Sequence, residues 1–263
     1  MHTDSGGHGD ALVLIHGGGL ADWFMPLAAD PALSHHRVVR VVRDGYTDAP
    51  APRGLTVSDH AERTAALIHQ LGAAPAHVVA HSSGSTIALQ LAIDHPELVR
   101  TLTLCEPPLV ETLADPADHA MLRAAFGALP LDRDIATAFD AFMTLVCGPD
   151  YRRVLIDVLG ADLVENTASQ NRYFLAEEMP AVGAWTFDPA ALTHRHPPVL
   201  LVQGGGSPPP VHRLIAHLAG LIPGSTIATV SGAGHLMPLT APAELARLID
   251  DFCRRQAVSA AAR

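Results

Sequence analysis

The sequence predicts an α/β fold, a doubly wound and mostly parallel sheet with a helical cap inserted between two of its strands. Short apolar runs alternate with helical patterns over residues 11–105 and again from residue 199 onward. Residues 109–190 break this alternation, because they carry helical patterns and no convincing strand. We therefore assign residues 1–108 and 191–263 to the sheet domain and residues 109–190 to the cap.

The individual elements follow from apolar periodicity and from the residues that end each run. Strands are predicted at 11–15, 37–42, 76–80, 101–105, 199–202 and 226–230. Helices of the sheet domain are predicted at 58–71, 83–94, 211–219 and 242–255. The first of these helices ends at Gly72, a residue type that is common just after a helix. In the cap, helical patterns cover 117–128, 135–147 and 151–163.

Composition excludes several classes of partner. The chain has 263 residues and a formal net charge of -10, and all 17 basic residues are arginines. The sequence has no basic stripe and no aromatic-rich RNA motif, so nucleic acid is not an expected partner. The three cysteines, Cys105, Cys147 and Cys253, are too sparse for a disulfide framework and suit a reducing compartment.

Neither a signal peptide nor a membrane span is predicted. The N-terminus is polar, and no apolar run approaches the roughly 20 residues that a membrane helix needs. We therefore expect a cytoplasmic protein without a membrane partner. A homodimer is an assembly that the sequence leaves open.

The most informative segment begins where the third predicted strand stops at a serine and a helical pattern starts at once. This layout is that of a nucleophile elbow, a strained strand-to-helix turn that exposes a serine hydroxyl. Ser82 and Ser83 compete for the role. Because the turn brings backbones close together, the residues two before and two after the nucleophile must be small. Ala80 and Gly84 satisfy this condition for Ser82, whereas the imidazole of His81 excludes Ser83.

A serine hydroxyl is a weak nucleophile at neutral pH, so it needs a histidine base that a carboxylate orients. The chain has 16 histidines, and their positions along the chain separate them. In folds with a nucleophile elbow, the histidine is the last of the three residues. His235 directly follows the last predicted strand, and Gly232 and Gly234 allow its loop to turn back toward Ser82.

The acid is the unusual member of the set. The loop after the strand at 199–202 is its usual place, but no Asp or Glu occurs between Asp188 and Glu244, and Ser207 stands at about that position. A sterically equivalent place is the end of the strand that follows the nucleophile helix, and Glu106 occupies it. We therefore predict Glu106 as the acid. The alternative is a degenerate triad in a protein that binds a ligand without turning it over.

Two backbone N–H groups are needed to stabilise a developing oxyanion. One is predicted at Ser83, directly after the nucleophile. The other is predicted at Gly18, in the glycine run after the first predicted strand, where small residues let the backbone approach a substrate. Phosphate binding is not indicated, because neither a G-x-x-x-x-G-K-[ST] nor a G-x-G-x-x-G pattern follows.

Together these motifs resemble the α/β-hydrolase superfamily over most of the chain, from about residue 11 to residue 250. The Ser-Ser-Gly elbow and the Glu-Pro-Pro sequence that begins at Glu106 are most similar to zearalenone-type lactone hydrolases and related small bacterial hydrolases with a glutamate acid. The resemblance implies the α/β-hydrolase fold and an oxyanion hole formed by Gly18 and Ser83. Family members carry an antiparallel hairpin near the N-terminus, and the few residues before Ala11 lead us to expect a sheet that lacks one or two strands there.

The sequence therefore predicts a serine hydrolase that cleaves a carboxylic ester or lactone of a hydrophobic substrate through an acyl-enzyme, without a cofactor or a metal. The predicted catalytic residues are Ser82, His235 and Glu106. Candidate residues of the substrate-binding wall are Trp23, Phe24, Trp185, Phe187 and Met237. Two alternatives stay open, because a fold does not fix a function: a non-hydrolytic ligand-binding or receptor-like protein, and a C–C hydrolase or cofactor-independent lyase.

Overall fold

The computed structural model describes residues 2–49, 51–192 and 196–261. The strands are β1 His2–Gly6, β2 Ala11–Ile15, β3 Arg37–Val42, β4 Ala76–His81, β5 Val99–Cys105, β6 Val199–Gly204 and β7 Thr226–Val230. The helices are α1 Met25–Ala28, α2 Val57–Gln70, α3 Ser83–Asp94, α4 Pro116–Gly127, α5 Ile135–Cys147, α6 Tyr151–Leu159, α7 Ala161–Glu165, α8 Ala168–Tyr173, α9 Met179–Ala184, α10 Pro209–Leu221, α11 Met237–Thr240 and α12 Pro242–Ala261. A π-helical turn, Phe174–Glu178, joins α8 to α9.

The described strands form one seven-stranded sheet in the order β1-β3-β2-β4-β5-β6-β7. β1 is antiparallel to β3, and all the other neighbouring pairs are parallel. The doubly wound, mostly parallel sheet predicted from the sequence is therefore confirmed. The strand order reverses between β2 and β4, and open α/β sheets bind ligands at the carboxyl ends of the strands at such a point.

Alternating side chains of the central strands pack into two apolar layers. Leu12 and Leu14 of β2 belong to the layer with α1 and α12, whereas Val13 and Ile15 belong to the layer with α2 and α3. Because helices cover both faces, β2 is apolar at every position rather than alternately polar. No helix of the described segments is long and apolar enough to cross a membrane.

The cap segment between β5 and β6 is helical, as expected, but one predicted helix is divided. The pattern at 151–163 forms α6 and α7, which meet at Gly160. Gly160 has a φ of 90°, a conformation that an α-helix cannot continue through and that glycine adopts without a Cβ clash. The apolar periodicity continues across this break, which is why it indicated a single helix.

The N-terminal edge is short, as predicted, because a single described strand, β1, precedes β2 where family members carry a hairpin. β1 pairs with β3 over its five residues. Gly7 and Gly9 follow it with φ values of 79° and 102°, so the chain reverses within a few residues before β2 begins. These two glycines provide the tight turn that the short N-terminal segment needs.

Five histidines of the described segments are buried, namely His16, His36, His60, His77 and His81. Burial lowers the pKa of His60 and of His77 to about 4 and that of His81 to about 3. His60 contacts the hydroxyl of Tyr173 and His77 that of Thr101 through one ring nitrogen each. These imidazoles are therefore neutral in the folded protein at neutral pH.

Once exposed, the imidazoles of His60 and His77 have a pKa near 6.5. The unfolded chain therefore takes up their protons below about pH 6.5, whereas the folded protein takes them up only near pH 4. We predict that the free energy of unfolding falls as the pH is lowered from about 6.5 to about 4, by roughly 1.4 kcal/mol per pH unit for each such histidine. Urea denaturation across this window measures the slope. His77→Asn should flatten it, and His69→Asn at an exposed position should not; equal slopes would contradict the prediction.

Candidate active site

β4 ends and α3 begins at a strained turn that holds Ser82. Its φ is 50° and its ψ is −128°, a conformation that residues with a side chain rarely adopt. α3 starts at the next residue, so the N–H of Ser83 belongs to the first helical turn, whose N–H groups have no partner within the helix. The turn places Ser82 at the carboxyl edge of the sheet, where it lines a large cavity.

The close backbone approach that an elbow requires is visible at Gly84. A Cβ atom added to Gly84 would lie 2.4 Å from the carbonyl oxygen of His16 and 2.6 Å from that of Ile15. Ala80, two residues before Ser82, is fully buried. A small residue is therefore required at Gly84, as the sequence indicated, and Ala80 on the other side of Ser82 is small as well.

The hydroxyls of the two candidate serines have different surroundings. The Ser83 side chain is buried, and its Oγ donates a hydrogen bond to Oε1 of Glu178 at 2.6 Å. Ser82, which is partly exposed, lines the cavity together with His235. The Ser83 hydroxyl is thus engaged beneath the elbow, and this arrangement agrees with the steric choice of Ser82.

The predicted acid, Glu106, lies directly after β5 and has a φ of 45°. Its Oε2 is 2.8 Å from Nδ1 of His235. Its Oε1 accepts hydrogen bonds from the backbone N–H of Gly204 at 2.9 Å and from the hydroxyl of Ser207. Burial alone would raise the pKa of Glu106, but His235 and these two donors outweigh burial and lower the pKa to about 2. Glu106 is therefore a carboxylate at neutral pH.

Ser207 occupies about the position where the acid would usually stand. The sequence located Ser207 there but gave it no role. In the structure its buried hydroxyl donates to Glu106. A donor at this position stabilises the carboxylate, whereas a second carboxylate would repel it.

His235 lies in the loop between β7 and α11, and contacts on several sides fix its ring. Because the Glu106 carboxylate can only accept, Nδ1 of His235 donates to it and Nε2 remains the basic nitrogen. His81 donates from Nε2 to the backbone oxygen of His235 at 2.9 Å, and the two rings pack with centroids 4.6 Å apart. Trp23 packs against His235 edge-on. The His235 ring is thus held in one orientation beside the cavity.

The glycine loop after β2 reaches the elbow from the neighbouring strand. A Cβ atom added to Gly17 would lie 3.1 Å from Cβ of Ser82, and one added to Gly18 would lie 2.1 Å from the ring of Phe174. Trp23 donates from Nε1 to the carbonyl oxygen of Gly18 at 2.9 Å. The structure therefore places Gly17, the residue before Gly18, directly beside Ser82.

A buried ion pair beneath the loop escaped the sequence analysis. Nη2 of Arg43 is 3.0 Å from Oε1 of Glu178, and the two side chains are 0% and 1% exposed. Tyr46 donates its hydroxyl hydrogen to Oε2 of Glu178. No motif marks these residues, because Arg43 lies in an ordinary turn after β3 and Glu178 in the cap, 135 residues further on.

A cavity of about 700 Å³ lies between the cap and the elbow. Ser82, Glu106 and His235 line it from the sheet domain. Its cap walls are largely apolar and include Phe126, Phe142, Phe174, Val182, Trp185 and Phe187. The volume is within the range of about 300–1,000 Å³ that is typical of small-molecule sites.

Only two of the five predicted wall residues line this cavity, Trp185 and Phe187. Trp23 is buried beside the rings of His81 and His235. Phe24 and Met237 are buried in the apolar layer that includes residues of α12. The residue types suited a pocket, but core packing uses the same large apolar side chains, and sequence does not show toward which side they turn.

A parallel sheet with a serine on its strand-to-helix turn and a histidine–carboxylate pair at the same edge defines the class of α/β proteins with a nucleophile elbow. The sequence profile of the Alpha/beta hydrolase family matches residues 12–248. The chain belongs to the alpha/beta hydrolase family.

Individual relatives share parts of the sequence or the fold. "Probable lysophospholipase BODYGUARD 2" of Arabidopsis thaliana is 34% identical over 126 residues, which are 44% of this chain and only 27% of that protein. An esterase from Thermogutta terrifontis has a TM-score of 0.75 at 18% identity, with 97% of this chain and 93% of that chain covered. Est816, an N-acyl homoserine lactone degrading enzyme, has a TM-score of 0.72 at 21% identity and coverages of 95% and 96%. At such identities the two structures show the shared fold alone.

We predict that Gly84→Ala lowers the free energy of unfolding by about 1–3 kcal/mol, because the new Cβ would overlap backbone oxygens that cannot rotate away. Gly220→Ala, in α10, is the matched control. Nothing lies within 4 Å of a Cβ added there, so the control should be stabilised by about 0.4–1 kcal/mol. Chemical denaturation compares the two, and equal effects would contradict the close approach at the elbow.

Proposed function

We propose that this protein is a serine hydrolase that cleaves a carboxylic ester or a lactone of a hydrophobic substrate. The observation that carries the proposal is that Ser82 and the His235–Glu106 pair line the same cavity. Membership of the alpha/beta hydrolase family supports a hydrolytic enzyme. The names of the lysophospholipase, esterase and lactone-degrading relatives are consistent with ester chemistry.

In the proposed mechanism, Oγ of Ser82 attacks the carbonyl carbon while Nε2 of His235 takes the hydroxyl proton. Glu106 orients His235 and stabilises its charged form. The tetrahedral oxyanion accepts hydrogen bonds from the N–H groups of Gly18 and Ser83. When the intermediate collapses, the C–O bond of the ester breaks and His235 gives its proton to the leaving alkoxide. In a lactone the resulting alcohol stays attached to the acyl chain.

Deacylation repeats these steps with water. His235 takes a proton from a water molecule, which attacks the acyl-enzyme carbonyl. The second tetrahedral intermediate collapses with release of the carboxylic acid, and His235 returns the proton to Ser82. Neither a cofactor nor a metal takes part in the proposed sequence.

The cap walls support a hydrophobic substrate. Trp185 stacks on Phe187 with an angle of 19° between the ring planes, and its Nε1 donates to Gln90 at 2.7 Å. This bond satisfies the polar atom of the indole, which leaves apolar ring surface to contact a ligand. The likeness to zearalenone-type lactone hydrolases is part of this proposal and rests on the Ser-Ser-Gly elbow that begins at Ser82 and on the Glu-x-Pro pattern of Glu106 and Pro108. A cytoplasmic location is also proposed, and the three free thiols agree with it.

A serine-directed fluorophosphonate tests the nucleophile without knowledge of the natural substrate. We expect a covalent adduct on the wild-type protein and none on Ser82→Ala, because the attacking oxygen is absent. Ser85→Ala, which alters a buried serine of the same helix, should be labelled like wild type. Intact-protein mass spectrometry measures the adduct, and labelling that persists in Ser82→Ala would remove Ser82 from the mechanism.

We predict that Glu106→Gln lowers kcat for a p-nitrophenyl ester by roughly 10³–10⁴-fold, because a neutral amide neither fixes the His235 tautomer nor stabilises its charge. Glu97→Gln, an exposed position just before β5, is the control and should retain wild-type kcat. Steady-state kinetics measures both. Wild-type turnover by Glu106→Gln would exclude Glu106 as the acid.

The two alternative functions give other results with the same proteins. A ligand-binding protein with a vestigial triad would bind macrolactones tightly without releasing product. A C–C hydrolase or lyase would leave p-nitrophenyl esters intact but act on a diketone or a cyanohydrin in a Ser82-dependent manner. A panel of these compounds against wild type and Ser82→Ala therefore distinguishes the three.

A further inference from the structure

We propose that Glu178 of the cap, together with Arg43, is a positioning residue that sets the geometry of the oxyanion hole. The inference rests on the proposed function, because it concerns the N–H groups that would hold the oxyanion. Glu178 has a bond to Ser83 on one side of the hole and, through Arg43 and Tyr46, to the glycine loop on the other. One carboxylate therefore connects both halves of the hole.

The Ser83 half is held through its side chain. Oγ of Ser83 donates to Oε1 of Glu178 at 2.6 Å, a short bond to an ionised acceptor. Because Ser83 is the first residue of α3, this bond also restrains the start of the helix. The direction of the Ser83 N–H is thereby tied to the position of Glu178.

The glycine loop is held from below by the guanidinium of Arg43. Nη2 of Arg43 donates to the carbonyl oxygens of His16 at 3.2 Å and Gly17 at 3.3 Å, as well as to Glu178. The carbonyl of Gly17 belongs to the same peptide as the N–H of Gly18, and a peptide is planar. A bond that orients this carbonyl therefore orients the N–H as well.

Tyr46 fixes the other side of Gly18. Its hydroxyl oxygen accepts from the N–H of Gly19 at 3.0 Å, and its hydroxyl hydrogen goes to Glu178. The peptides before and after Gly18 are thus both bonded to groups that contact one carboxylate. A change in the position of Glu178 would move both.

The charges of the network are balanced, which suits a site that must stabilise a negative charge. Burial alone would raise the pKa of Glu178, but the attraction of Arg43 and the bonds from Arg43, Ser83 and Tyr46 outweigh burial and lower it. A lone carboxylate beneath the hole would repel an oxyanion. Because Arg43 neutralises it, Glu178 can orient the donors without opposing the reaction.

Because Glu178 belongs to the cap, its hydrogen bonds also make the geometry of the oxyanion hole depend on the position of the cap. Glu178 ends the π-helical turn that joins α8 to α9, and Phe174 at the start of this turn packs on Gly18. The segment that encloses the cavity therefore supplies the carboxylate that orders the oxyanion donors. Displacement of this segment would disorder the hole and open the cavity together.

Two variants test the inference without leaving a buried charge unpaired. Ser83→Ala and Tyr46→Phe each remove one bond to Glu178 and keep the Arg43 pair. We expect each to lower both the rate constant of fluorophosphonate labelling and kcat for a p-nitrophenyl ester by about tenfold or more, with little change in KM. Ser85→Ala and Tyr151→Phe are the matched controls, because Ser85 is buried in the same helix and Tyr151 is a buried tyrosine bonded to Asp140 at 2.8 Å. Both controls should react like wild type.

A trifluoromethyl ketone separates a positioning role from a merely structural one. Its adduct with Ser82 carries an oxyanion, so its affinity should fall in Ser83→Ala and Tyr46→Phe by the same factor as kcat. A structural role would lower Tm and leave this affinity unchanged in folded protein, which would overturn the inference. Glu178→Gln is measured under conditions in which circular dichroism shows that it is folded. Its kcat and its affinity for the ketone should fall further than those of either single variant, and a smaller fall would also overturn the inference.

Failure of the inference is distinguishable from failure of the proposed function. If wild type is labelled and hydrolyses the ester while Ser83→Ala and Tyr46→Phe do so at the same rates, the positioning role is wrong and the hydrolase stands. If wild type itself neither reacts with the fluorophosphonate nor cleaves the ester, the proposed hydrolase fails and the inference fails with it.

Discussion

The close backbone contact between the elbow after β4 and the glycine loop after β2 is the constraint on which the rest of the site depends. β2 and β4 are neighbours where the strand order reverses, so their carboxyl ends open into one crevice. An added Cβ at Gly84 would lie 2.4 Å from the His16 oxygen, which leaves room for glycine alone. This contact brings Gly17 beside Ser82, and in the proposed mechanism the N–H groups of the next residue, Gly18, and of Ser83 then serve one oxyanion.

The position of the proposed acid, Glu106, follows from the same sheet geometry. β5 and β6 are adjacent and parallel, so a carboxylate at the end of either strand can reach a histidine that follows β7. Here Glu106 follows β5, and the β6 side supplies donors, the N–H of Gly204 and the hydroxyl of Ser207. The two features are compatible, because these donors stabilise the Glu106 carboxylate. A second carboxylate after β6, in place of the donors, would repel it.

Features that depend on local sequence pattern could be predicted from the sequence, whereas features that depend on tertiary packing could not. The six strands from β2 to β7, the elbow and the placement of Ser82, Glu106 and His235 after strands follow from periodicity, small residues and strand ends, which a chain displays locally. The wall prediction for Phe24 was wrong because apolar side chains suit core and pocket equally. Arg43 and Glu178 lie 135 residues apart, and neither has a neighbour in sequence that indicates the pairing.

The buried ion pair of Arg43 and Glu178 joins the cap to the sheet domain by charge, in addition to the apolar packing between them. Burying Arg43 and Glu178 costs desolvation free energy that an apolar pair of similar size would avoid, so stability alone does not favour them. Apolar contacts such as that of Phe174 with Gly18 exclude water but have no preferred direction. Hydrogen bonds to an ionised carboxylate are strongly directional. Oriented N–H donors require that property, and a network that contacts Ser83 and the peptides on both sides of Gly18 provides it.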